Sequence, residues 1–166
     1  MNIISNLLSL VHSTTIDKHS FMKSFDSLSF GKDQQEFLHN FAKQHPLKES
    51  EKLLDELLDP KTSTVREQRI GVQLAVAYKD HERVFKVLST EAVIETYSST
   101  VLMVACKYSA MVLTEDQLLK LLFPETEELH HLAPAYITAI VHSIACYNTE
   151  MINRDLVLKL YQKYGE

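Results

Sequence analysis

Apolar residues recur along most of the chain at steps of three and four, the spacing that lines one face of an α-helix. Between residues 91 and 111 the stripe runs Val93, Tyr97, Val101, Val104, Tyr108 and Met111, so one face of that segment is expected to be buried. Several loops mark where such helices start. Asp33 with Glu36, Thr64 with Glu67 and Thr114 with Gln117 each set a capping side chain three residues ahead of an acid or amide that can reach back to the free backbone N–H. Stops are marked by Gly31, which can take the left-handed conformation after a helix, and by Pro46, Pro60 and Pro124, which cannot continue one. The pattern predicts about ten helices, over residues 2–12, 17–30, 33–44, 48–59, 64–79, 81–89, 91–111, 115–123, 127–148 and 151–164. Three glycines and four prolines are too few turn residues for a hairpin-rich all-β protein, so the expected fold class is all-α.

From residue 48 onward a short helix and a longer one alternate, with matching landmarks. The short helices read LLDELL (53–58), VFKVL (84–88), LLKLL (118–122) and LVLKLY (156–161), and the long ones end in AVAY, ACKY and IACY. Leu57, Val87 and Leu121 recur at intervals of 30 and 34 residues, and Leu160 follows 39 later. A period of this size built from two helices belongs to the helical-repeat class. In these landmarks the stretch from about residue 48 to 166 resembles the HEAT and armadillo-like α-solenoids. The resemblance implies a short right-handed superhelix of antiparallel helix pairs in a single domain, 1–166, with residues 1–47 as N-terminal cap helices and 48–166 as the repeats. A compact irregular helical bundle is the alternative architecture.

Charge and cysteine usage narrow the function classes. The formal net charge of −5 is uneven, with eight acids against four Lys and Arg in residues 111–166 and near balance before them. A basic nucleic-acid footprint is absent overall. Cys106 and Cys146 both fall inside apolar helical patterns, where a free thiol behaves as a small buried hydrophobe, so a reducing, cytoplasmic setting is expected. The N-terminal MNIISNLLSLVHSTT has no basic n-region or convincing cleavage site, and no stretch reaches the roughly 18 apolar residues of a membrane span. A soluble, unprocessed chain is expected, and Met1 leans slightly towards a full-length one.

Candidate chemistry is sparse. His130 and His131 are adjacent, so on a helix they point about 100° apart and cannot share a metal as a close i, i+4 pair can. Glu127 with His131 has that spacing, but two ligands do not hold a zinc ion, and an exposed first helical turn is the simpler account. His12 and His45 suit helix C-termini, and His142, beside Val141, is expected in the core. There is no Gly-x-Ser-x-Gly elbow, no activated cysteine and no glycine-rich phosphate loop, so neither catalysis, a cofactor nor a metal is expected. LLDELL and LLKLL each contain a Leu-x-x-Leu-Leu face that could dock in a receptor groove if exposed, but at the repeat interval these leucines are expected in the core. The basic cluster Arg66, Arg69, His81, Arg83 and Lys86, accompanied by Glu67, Asp80 and Glu82, is the candidate partner-binding set.

The expected function is that of a non-enzymatic protein-protein interaction module or adaptor, because a solenoid presents a long helical surface without pocket-forming loops. Its acidic C-terminal third would offer a second contact for a basic partner. A nucleic-acid-binding helical-repeat protein is the alternative, opposed by the negative charge, the absence of tryptophan and the small arginine cluster. A self-associating structural subunit is a second alternative, as a homodimer burying Leu156, Leu160 and Tyr164 of the last helix against a neighbouring copy.

Overall fold

The computed structural model describes residues 16–28, 31–89, 96–125 and 132–165. Among the described residues there are ten α-helices and one 3-10 turn and no strand, so the fold is all-α. The expected helix over 2–12, and His130 and His131 with Glu127, lie outside the described residues. The chain divides into two compact units, Met1–Tyr78 and Lys79–Glu166.

In the first unit, α1 (Lys18–Asp26), α2 (Gly31–Gln44), α3 (Leu47–Leu57) and α4 (Val65–Ala77) follow one another. Both α2 and α3 pack on α4, and α1 packs on α3. The LLDELL leucines are core, as expected: Leu53, Leu54 and Leu57 are fully buried and Leu58 nearly so. Burying each such side chain contributes about 1.5–3 kcal/mol. Gly71 lets α3 and α4 approach closely, since a Cβ there would stand 3.0 Å from both Leu57 Cβ and Leu58 Cδ2. Phe21, Phe25, Phe37 and Phe41 of α1 and α2 form an aromatic cluster, with Phe21 and Phe41 edge-on at 5.0 Å.

The start of α4 follows the sequence signal. Thr64 accepts from the Glu67 N–H while Glu67 accepts from the Thr64 N–H, closing the expected capping box. Its end does not depend on glycine. The Tyr78 N–H caps the last turn, and Lys79 takes the left-handed conformation at φ 56°. Gly31, expected as a left-handed stop, instead opens α2, and no glycine among the described residues has positive φ.

The second unit contains α5 (His81–Ser89), α6 (Ser99–Lys107), α7 (Ser109–Val112), α8 (Glu115–Leu122), α9 (Pro134–Tyr147), a 3-10 turn (Thr149–Met151) and α10 (Arg154–Tyr164). At its centre is α9, which packs on α6, α7, α8 and the 3-10 turn and buries Ile137, Ile140, Ser143 and Ile144. Its entry is fixed by Pro134 in the first turn, where the missing N–H costs nothing.

The single helix expected over 91–111 is broken at Tyr108. Ser109 Oγ donates to the Cys106 carbonyl at 2.7 Å, and Ser143 Oγ of α9 accepts from the Ala110 N–H at 3.0 Å. Side-chain partners thus satisfy the groups that an unbroken helix would pair internally. Tyr78 and Tyr108 stand at the same place, the C-cap of α4 and of α6.

Candidate protein-binding surface

The basic residues singled out in the sequence are largely occupied within their own units. In the first unit, Arg66 forms an ion pair with Asp26 and lies 5.7 Å from the centroid of the Phe25 ring, tying α4 to α1. Lys18 and Glu67 add a second tie at 3.0 Å. Burial alone would favour protonation of the Glu67 carboxyl, but the Thr64 N–H and Lys18 outweigh it and hold its pKa below the ordinary 4.5. Arg69 is exposed on the same helix.

In the second unit, Arg83 pairs with the buried Asp80 at 2.7 Å, and the Asp80 carboxylate also accepts from the Arg83 N–H. His81 Nδ1 lies 3.1 Å from Gln117 Nε2, so it serves as acceptor to the amide and links α5 to α8. Lys86 is exposed.

The histidine and cysteine of α9 are not core residues. His142 and Cys146 are both exposed, with Nε2 and Sγ 3.7 Å apart. Cys146 lies nine residues after Ile137, half a turn out of phase with the buried face at 100° per residue, and His142 shares its side. Cys106, in contrast, is fully buried, and burial pushes its thiol up to about 12. Among the described residues, no three His, Cys, Asp or Glu side chains gather as a metal ion requires.

The apolar surface is concentrated at the C-terminal end of the second unit. Of ten large hydrophobic side chains exposed among the described residues, six fall between 147 and 164: Tyr147, Ile152, Val157, Leu158, Tyr161 and Tyr164. Tyr161 is 68% exposed and Val157 52%, and together with Tyr164 they share one side of α10 at steps of four and three. The face expected to seek a second copy is partly in use. Leu156 is buried and Leu160 half-buried within the unit, and the Tyr164 hydroxyl donates to the Leu122 carbonyl of α8. Leu156 is therefore spent on its own unit, whereas Leu160 is only half-buried and Tyr164 stays exposed.

Beside α10 a groove of about 560 Å³ runs against α8. Its apolar lining comes from Leu119, the one LLKLL leucine that is exposed, and from the half-buried Phe123. Lys120, Lys159 and Lys163 surround it, with Asp116 and Glu125. Lys120 pairs with Asp116 at 3.0 Å and Lys159 with Asp155 at 3.2 Å, both on exposed helix surface where such pairs contribute about 0.3–0.5 kcal/mol. Lys163 sits 5.7 Å from the centroid of the Tyr164 ring.

This is an all-α protein, and most of the large apolar side chains exposed among its described residues lie between 147 and 164. No family model matches the chain, and no curated protein or solved structure matches it either. No described helix is long and apolar enough to cross a membrane.

Proposed function

We propose that the chain is a non-enzymatic protein-binding module that engages its partner mainly through α10 and the turn before it. The observation that carries this reading is the run of exposed Tyr147, Ile152, Val157, Leu158 and Tyr161 at one end of the second unit. Single exposed apolar residues are ordinary, but a concentration of large ones, two of them tyrosines, has the composition of an interface. Partner burial would remove this area from water at roughly 25 cal/mol per Å². The helical-repeat character belongs to the same proposal, supported by the equivalent capping positions of Tyr78 and Tyr108 and by the buried pairs of the short helices before them. A reducing cytoplasmic location suits the two free thiols.

Arg66, Arg83 and His81 are engaged within their own units, whereas Arg69 is exposed and would act as a steering charge. A second reading is favoured by the same exposed stripe. Val157 and Tyr161 are suited to meet a second copy, and light scattering over a dilution series separates the two, since only self-association gives a dimer mass that falls on dilution.

The test is capture from a native lysate at physiological salt, divided into nuclease-treated and untreated halves. A stoichiometric protein recovered equally from both supports the module. Material that is nucleic acid, or that disappears with nuclease, contradicts it.

A further inference from the structure

Residues 111–166 are acidic as a whole, yet three of their four Lys and Arg side chains line one groove. Lys120 comes from α8, and Lys159 and Lys163 from α10, one turn apart on the same side of that helix. The ion pairs of Lys120 and Lys159 stay within their own helices and do not join α8 to α10. The α10 helix is seated instead by Leu156 and by the Tyr164 hydroxyl on the Leu122 carbonyl, and its start is capped by Asn153, whose side chain accepts from the Leu156 N–H at 2.8 Å.

We propose that this groove takes an acidic amphipathic peptide segment of a partner protein. Apolar side chains of the peptide would rest on Leu119 and Phe123, and its carboxylates would pair with Lys120, Lys159 and Lys163. The inference rests on the protein-binding reading and gives the partner its chemistry. Charge complementarity carries it. Lys163 makes no salt bridge among the described residues, and its ammonium lies over an aromatic ring beside the groove. Lys120 and Lys159 are held only by exposed carboxylates one turn away, so they can exchange those partners for carboxylates of a ligand without leaving a buried charge unpaired. Asp116 and Glu125 at the same groove disfavour a nucleic-acid strand, whose phosphates repeat along its whole length, whereas a peptide can space its acids to meet the lysines alone. The apolar lining likewise favours a helix or turn with bulky side chains on one face.

The experiment pans a phage-displayed library of random peptides, about a dozen residues long, on the full chain. Enriched peptides are then measured by fluorescence anisotropy against the wild type, against the triple variant Lys120→Ala, Lys159→Ala, Lys163→Ala, and against the corresponding Lys→Glu triple. Circular dichroism establishes that each variant is folded. The expected result is enrichment of sequences combining Leu, Phe or Met with two or more Asp or Glu, a loss of affinity of about tenfold or more in the Ala triple, a larger loss in the Glu triple, and weaker binding as salt rises. Enriched peptides without acidic preference, or binding unchanged by the Ala triple, would overturn the proposal. So would an oligonucleotide that binds at these lysines more tightly than any peptide. Peptides that ignore the lysines but are lost in Val157→Asp, Tyr161→Asp would overturn the groove while leaving the protein-binding reading standing.

Discussion

The hydroxyl of Tyr164, in the last turn of α10, donates to the main-chain carbonyl of Leu122, the final residue of α8. A helix leaves its last four carbonyls without internal partners, so this tyrosine is a cap delivered from a distant helix. Tyr164→Phe removes one hydrogen bond at about 0.5–1.5 kcal/mol. The expected outcome is faster hydrogen exchange in the amides of α10, with α9 little changed. Equal acceleration in both helices would show that α10 is not held this way.

The close passage of α3 over α4 depends on Gly71 lacking a side chain. Alanine improves helix propensity by about 1 kcal/mol, but its Cβ would press on Leu57 Cβ, which cannot rotate away. Gly71→Ala is expected to lower stability by about 1–2 kcal/mol net, read as a reduced urea midpoint. An unchanged or raised midpoint would mean that the two helices separate freely.

Glu67 joins the α4 capping box to Lys18 of α1, and its carboxyl is held below the ordinary 4.5. A depressed carboxyl contributes stability that is complete above its unfolded pKa and is lost as pH falls through the folded one. Urea midpoints should therefore decline as pH falls below about 4.5, and Glu67→Gln should flatten part of that decline while lowering stability at neutral pH. Parallel pH profiles for the two proteins would contradict this assignment.

The two thiols should differ in chemistry. Cys146 is exposed, while Cys106 is buried with its thiol pushed up to about 12. A thiol-reactive reagent should modify one cysteine per native chain quickly and the second only on unfolding. Cys146→Ser should abolish the fast phase, and its persistence would place Cys106 within reach of solvent.

Much of the helical architecture was readable because its signals are local. The Thr64–Glu67 and Thr114–Gln117 boxes close as their spacing requires, and the LLDELL leucines are buried, as are Leu118, Leu121 and Leu122 of LLKLL, whereas Leu119 is exposed. The break at Tyr108 was not readable, since it depends on Ser143, 33 residues away, accepting from Ala110. Nor could Lys79 be recognised as a left-handed helix stop where glycine is usual. The apolar neighbours of His142 and Cys146 point to the core. The phase set by Ile137, Ile140 and Ile144 places them on the opposite face.

The candidate surface was legible only in part. The amphipathic pattern of α10 identified Leu156 and Leu160 as an apolar stripe, but not that its own unit would cover them and leave Val157 and Tyr161 open. The lysine-lined groove was hidden because Lys120 and Lys159 stand far apart in sequence and meet only when α10 settles beside α8.

The most direct test of protein binding through α10 compares capture from a native lysate by the wild type and by Val157→Asp, Tyr161→Asp. Both residues are more than half exposed, so the double variant is expected to fold normally by circular dichroism. The account predicts that a stoichiometric, nuclease-resistant protein partner is recovered with the wild type and reduced about tenfold or more with the variant. Equal recovery by both, or recovery of nucleic acid alone, would contradict it.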